Sequence, residues 1–155
     1  MTTSAPPQLI TTTATTTAVV RGVVAMTELP AFYDRVFGTL PGVLAAQGVE
    51  VTGPAFGLYR GIPAETVDLE VGFPTDRPVA DDGEVTAGEL PAGRVARAVH
   101  SGSFDGLGPA WQDLAGWIAG QGLRPGDTFW EVYLTEPSPE MDPRDLRTEL
   151  NWVVS

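Results

Sequence analysis

The sequence predicts an α+β fold. Two tandem β-α-β-β units related by a pseudo-two-fold axis form an antiparallel sheet, with both helices on one face and a groove between them. Three observations predict it. Runs of β-branched and aromatic residues alternate with period 2 between turn residues. Two stretches carry the i, i+3, i+4, i+7 apolar spacing of helices. The same order of elements occurs twice, with residues recurring at a fixed offset of 74. Leu40, Gly42, Ala45, Gln47, Gly48 and Tyr59 return as Leu114, Gly116, Ala119, Gln121, Gly122 and Tyr133, and conservative pairs such as Phe37/Trp111 and Phe56/Trp130 need no gap between them. The repeat covers about residues 9–74 and 84–154 of a single 155-residue domain. The groove between packed units is the expected ligand site.

In chain order, residues 1–8 read as a mobile tail. The Thr-rich stretch 9–24 runs into Val19-Val20 and Val23-Val24 and lacks the Pro and Ser of a stalk, so it reads as one long strand. Thr27-Glu28-Leu29-Pro30 opens a helix with Thr27 as N-cap. Leu29, Phe32, Val36, Phe37, Leu40, Val43 and Leu44 form its stripe, Pro41-Gly42 kinks or interrupts it, and Gly48 ends it. Strands follow over 55–60 and 66–73, joined by a turn at Gly61-Ile62-Pro63. After a polar link over 75–83, Val85 to Leu90 and Arg94 to His100 read as strands joined in a hairpin by Pro91-Ala92-Gly93. A helix over about Phe104 to Gln121 carries Leu107, Ala110, Trp111, Leu114 and Ile118 and stops at Gly122. A strand over 128–135, a Pro-rich loop over 136–145 and a last strand from Leu146 to Val154 complete the chain.

Composition excludes several functions. Net charge is −11, and every basic residue is Arg. Such a surface repels phosphate backbones, which argues against nucleic-acid binding by this chain alone. Without Cys there are no disulfides and no thiolate chemistry. His100 is the single histidine, so no metal site is expected, and a structural role is its simplest reading. Asp81-Asp82-Gly83-Glu84 lacks the spacing of a calcium loop and reads as a solvated turn. No phosphate-binding glycine pattern opens a helix. No apolar run has the length of a membrane span or the form of a signal peptide, and the expectation is a cytoplasmic protein.

The strand at 128–135 carries the anomaly. Alternation places Phe129, Glu131, Tyr133 and Thr135 on one face and Trp130, Val132 and Leu134 on the other. A carboxylate among rings is costly to bury unless it is paired. Either an arginine such as Arg97 or Arg21 bridges to Glu131, or its face is a cavity awaiting a cation. The repeat bears on the choice: Gly57 stands at the equivalent place, so packing alone does not require a side chain there.

Trp130-Glu131-Val132-Tyr133, the segment Val99-His100-Ser101-Gly102-Ser103-Phe104 leading into a Trp-bearing helix, Arg147-Thr148-Glu149-Leu150 and the stretch from Gly53 to Tyr59 together resemble the GyrI-like (gyrase-inhibitor-like) effector-binding domain. The resemblance covers roughly residues 18–155. It implies a bacterial SHS2-type repeat domain that binds lipophilic, often cationic, aromatic molecules, for multidrug sensing or sequestration, without a cofactor. It implies Glu131 as the partner of the cation, with Tyr59, Tyr133 and Phe104 as ring platforms. Phe129 shares the Glu131 face by alternation, and Trp111 lies on the helix stripe bordering the expected groove. Trp152 aligns roughly with Phe73 as core or pocket wall.

Regulators of the MerR and AraC types carry such a domain behind a helix-turn-helix. None precedes it here, so the expected form is stand-alone. Some stand-alone relatives are assigned as hydrolases that open the cyclopropane rings of DNA-alkylating natural products. That reading would make Glu131 a general acid or base and Tyr133 its hydrogen-bond donor. Others are gyrase-binding proteins, which would make gyrase a protein partner.

Overall fold

The computed structural model describes residues 5–61, 64–135 and 142–155. The fold is α+β, as the sequence predicts. In chain order the strands are β1 (Ala5–Thr12), β2 (Thr15–Ala25), β3 (Phe56–Arg60), β4 (Thr66–Pro74), β5 (Val85–Leu90), β6 (Gly93–Ser101), β7 (Pro125–Tyr133) and β8 (Arg147–Val154), and the helices are α1 (Leu29–Gln47) and α2 (Leu107–Gly120). The chain divides into two compact units: Thr13–Ala92 is one, and β1 together with Gly93–Ser155 is the other.

In the contiguous unit the strand order is β5-β2-β4-β3, each pair antiparallel. Val20 lies opposite both Val71 and Val85, and Tyr59 opposite Leu69. Phe32, Val36, Leu40 and Leu44 form the buried stripe of α1. The helix runs through Pro41 without interruption. It ends at Gly48, whose φ of +66° is the left-handed conformation that glycine adopts without steric cost. Thr27 does not cap it: Met26–Glu28 is a 3-10 turn that leads into the helix, and Glu28 takes the N-cap position. Gly72 is required by close approach, because a Cβ there would stand 1.9 Å from the Ala18 carbonyl oxygen.

In the second unit the order is β1-β6-β8-β7, again antiparallel throughout. Ala96, Leu114, Ile118, Leu150 and Val154 are its buried core, with Trp111, Trp117 and Trp152 packed against it. A 3-10 turn, Phe104–Gly106, leads into α2, and Gly122 beyond the helix end takes φ +73°.

Three expectations are corrected. The Thr-rich stretch is two strands, not one, because the chain leaves the ladder at Thr13 and Ala14. A strand has two edges, and those of β2 are taken by β4 and β5, so β1 pairs with β6 instead. For the same reason β5 and β6 do not form a hairpin across Pro91-Ala92-Gly93; that segment carries the chain from one unit to the other. Residues 5–8, expected in a mobile tail, belong to β1, where Ala5 faces Val99 and Gln8 faces Arg97. The register slips between them, at Pro6-Pro7, which have no N–H to give the ladder. Smaller differences lie at the ends of β7, which begins at Pro125 and stops at Tyr133. Ile62 and Pro63 of the expected turn, residues 136–141 of the expected loop, and the first four residues lie outside the described residues.

Candidate functional site

The site is built from one face of β7 and β8 and the helix α2 that crosses it. Period-2 alternation aligns Phe129, Glu131 and Tyr133, and their antiparallel partners on β8 are Trp152, Leu150 and Thr148. Leu150 packs with Leu114 and Ile118, which fixes α2 over this face. Trp111 is one helical turn before Leu114, so its ring comes down beside β7.

Glu131 is 8% exposed. The Trp111 Nε1–H donates to its Oε2 at 2.8 Å, and the Tyr133 hydroxyl donates to its Oε1 at 2.9 Å. Neither proposed arginine reaches it. Arg97 is held by Asn151 at 2.7 Å and Glu149 at 3.3 Å, and Arg21 by Asp68 at 3.2 Å. Among the described residues no basic side chain forms an ion pair with Glu131. Burial pushes its carboxyl above the ordinary value, while the Trp111 and Tyr133 hydrogen bonds and the proximity of His100 pull it back only in part.

Aromatic rings fill the space around the carboxylate. Trp111 meets Phe129 at 4.9 Å and Trp152 at 5.6 Å between centroids, and Phe129 meets Trp152 at 5.4 Å. Phe104, from the turn before α2, stands edge-on to Tyr133 at 6.0 Å and is 42% exposed. The Trp152 indole N–H is occupied by the Gly126 carbonyl at 2.8 Å. Six of the residues predicted from sequence (Glu131, Tyr133, Phe104, Trp111, Phe129 and Trp152) are therefore one contiguous cluster. Tyr59, the seventh, lies on β3 of the other unit, its hydroxyl 2.7 Å from that of Tyr33.

His100 donates Nε2–H to the Ser103 carbonyl at 2.9 Å, and a Cβ on Gly106 would stand 2.7 Å from the imidazole. It thereby holds the turn that presents Phe104. No cluster of potential metal ligands occurs among the described residues, and none of their helices is long and apolar enough to cross a membrane. On the β6 side of α2 a cleft of about 210 Å³ is lined by Pro7, Ala98, His100, Asp113 and Leu150. Thr148, which sequence reasoning did not single out, lies opposite Tyr133 on this face.

The sequence matches the GyrI-like small molecule binding domain over residues 5–153. The chain belongs to the GyrI-like family. It is thus a small-molecule-binding domain, and the Glu131 cluster is where its polar and aromatic groups converge. No curated protein matches the sequence. Among solved structures the GyrI-like chain is similar to EcmrR in its DNA complex, with TM-score 0.85 and 19% identity over 97% of this chain; it spans only 57% of that chain. The EcmrR C-terminal domain alone gives 0.84 and 18%, covering 97% of both. SAV2435 bound to tetraphenylphosphonium gives 0.70 and 14%, covering 97% of this chain and 94% of that one. A hydrolase encoded by lin2189 from Listeria innocua gives 0.67 and 14%, covering 96% and 91%. At these identities the likeness is one of fold.

Proposed function

We propose that the Glu131 cluster binds flat, lipophilic, cationic molecules. One observation carries the reading: a carboxylate 8% exposed, with two neutral donors and no basic partner among the described residues, is surrounded by aromatic rings. Two neutral hydrogen bonds offset only part of the cost of burying charge, which is why the carboxyl lies above its ordinary value. A bound cation supplies what is missing. A ring face adds ~0.5–2 kcal/mol to a nearby cation, and aromatic walls contribute undirected area burial, so many shapes are accepted. The binding of tetraphenylphosphonium, a lipophilic cation, by SAV2435, a protein of similar fold, agrees with the charge and lipophilicity in this reading.

The rings pack on one another, so a ligand enters by displacing one. Phe104 is the candidate, being the most exposed of them and following Gly102, whose φ of +120° gives that segment a glycine-specific joint. The test is a titration of cationic, neutral and anionic dyes of equal size. Cationic dyes bind tightest on this reading, and equal affinity across the three classes would refute it.

The Tyr133–Glu131 hydrogen bond and the raised carboxyl favour a second reading, a hydrolase with Glu131 as general acid or base. Incubation with a spirocyclopropane alkylator, followed by mass spectrometry for the ring-opened product, separates it from binding alone.

A further inference from the structure

The Glu131 face holds a polar group that the binding reading leaves unused. Thr148 lies opposite Tyr133 on β7 and opposite His100 on β6, two residues from Leu150, the partner of Glu131. Its side chain therefore rises from the same face of the sheet as Glu131. Thr148 is 0% exposed, and its Oγ1 has no hydrogen-bond partner. Buried hydroxyls are nearly always satisfied, so an orphan calls for an explanation. Valine would fill the same volume without the unsatisfied oxygen.

The inventory of donors and acceptors around it leans one way. Tyr133 and Trp111 have committed their protons to Glu131. A carboxylate offers about four acceptor positions, so roughly half of those on Glu131 are unused. The Nε2–H of His100 is committed to the Ser103 carbonyl. The Thr148 hydroxyl can accept as well. Acceptors are in surplus on this face, and of these donors only the Thr148 O–H is unspent.

We propose that Thr148 is a specificity-determining residue that selects cations carrying N–H groups. A protonated amine or amidinium places one N–H on Glu131 and another on Thr148. A quaternary ammonium or phosphonium answers the charge but leaves the Thr148 hydroxyl orphaned. The proposal rests on the cation reading above and names the ligand chemistry of that same site.

The experiment is calorimetric titration with three probes on one ring system: naphthylmethylammonium, its trimethylammonium counterpart and the neutral naphthylmethanol. Each is run on the wild type, Thr148→Val and Thr148→Ser. The expected result is that the ammonium-to-trimethylammonium affinity ratio falls about three- to tenfold in Thr148→Val, the worth of one hydrogen bond, and is kept in Thr148→Ser. An unchanged ratio in Thr148→Val, with both cations still binding more tightly than the neutral probe, overturns the role of Thr148 and leaves the cation reading standing. If neither cation binds more tightly than the neutral probe to the wild type, the cation reading itself fails. Thermal melts guard against a folding artefact: removing an unsatisfied hydroxyl is expected to hold or raise the melting temperature of Thr148→Val.

Discussion

Glu131 occupies in one unit the place that Gly57 occupies in the other. Each stands two residues before a tyrosine on the strand after its unit's helix, and each lies opposite an aliphatic residue of the next strand, Leu150 and Val71. The helix residue differs in step. Trp111 meets Trp152 at 5.6 Å, and Phe37 meets Phe73 at 5.7 Å, so the ring contact is kept in both units. Only the unit with the carboxylate has an indole N–H to give it.

Glu131→Gln follows from that comparison. Its amide oxygen can accept from Trp111 while its nitrogen donates to a turned Tyr133 hydroxyl, so no donor is stranded. Without the desolvated charge, the melting temperature is expected to stay level or rise. Affinity for a cationic dye is expected to fall by ~1.5–3 kcal/mol, with a neutral dye of the same shape little affected. A large drop in melting temperature would show that the carboxylate is structural.

The pH dependence has a definite sign. Because burial raises the Glu131 carboxyl, the folded protein holds that proton more tightly than the unfolded chain. The associated stability is complete below the ordinary carboxyl value of about 4.3 and is lost as pH rises through the raised value. Glu131→Gln should therefore gain on the wild type as pH climbs from acid toward neutrality. Cation binding should release a proton, read as a heat that varies with buffer ionisation enthalpy. A wild type that gains on the variant with rising pH would contradict the raised carboxyl.

Trp111→Phe keeps a ring against Phe129 and Trp152 and removes the N–H to Glu131. The carboxyl should rise further, and the onset of cation binding should move to higher pH. Stability should fall by ~1–3 kcal/mol near neutrality and by less in acid, where the protonated carboxyl asks less of its donors. Denaturant melts at both pH values check it; an equal loss at both would assign Trp111 to packing alone.

Gly72→Ala tests the other unit. The added methyl would meet the Ala18 backbone, which has no rotamer to yield. A loss of about 3 kcal/mol or more is expected in chemical denaturation. Gly38→Ala, whose methyl would meet nothing within 4 Å on α1, is the control and should be neutral or mildly stabilising.

Local order was legible in the sequence, and partner choice was not. The stripes Phe32-Val36-Leu40-Leu44 and Leu114-Ile118 and the stops at Gly48 and Gly122 follow from period and backbone freedom. The alternation around Glu131 was readable for the same reason. Which strand β1 or β5 would join was hidden, because both are edge strands whose alternation fits more than one neighbour. The partners of Glu131 were foreseen only in part. The expectation weighed arginine against an empty cavity; the Tyr133 donor was anticipated only under the hydrolase reading, and the Trp111 indole, first read as a ring surface, was not. Thr148 could not be singled out, since a threonine in a strand is ordinary until its hydroxyl is found without a partner.

The exchange of first strands has a consequence for biosynthesis. The ribosome makes β1 well before its partner β6, which is not made until the whole contiguous unit has passed; the Thr12 hydroxyl bonds the Gly93 carbonyl across 81 residues. The earlier unit can fold while the chain is still emerging, with β1 waiting as an unpaired tether. The half that carries Glu131 closes after that unit, and such long loops close slowly. Binding competence is thus acquired only after β7 and β8 have emerged, and a nascent chain halted after β5 would present a folded body without the carboxylate.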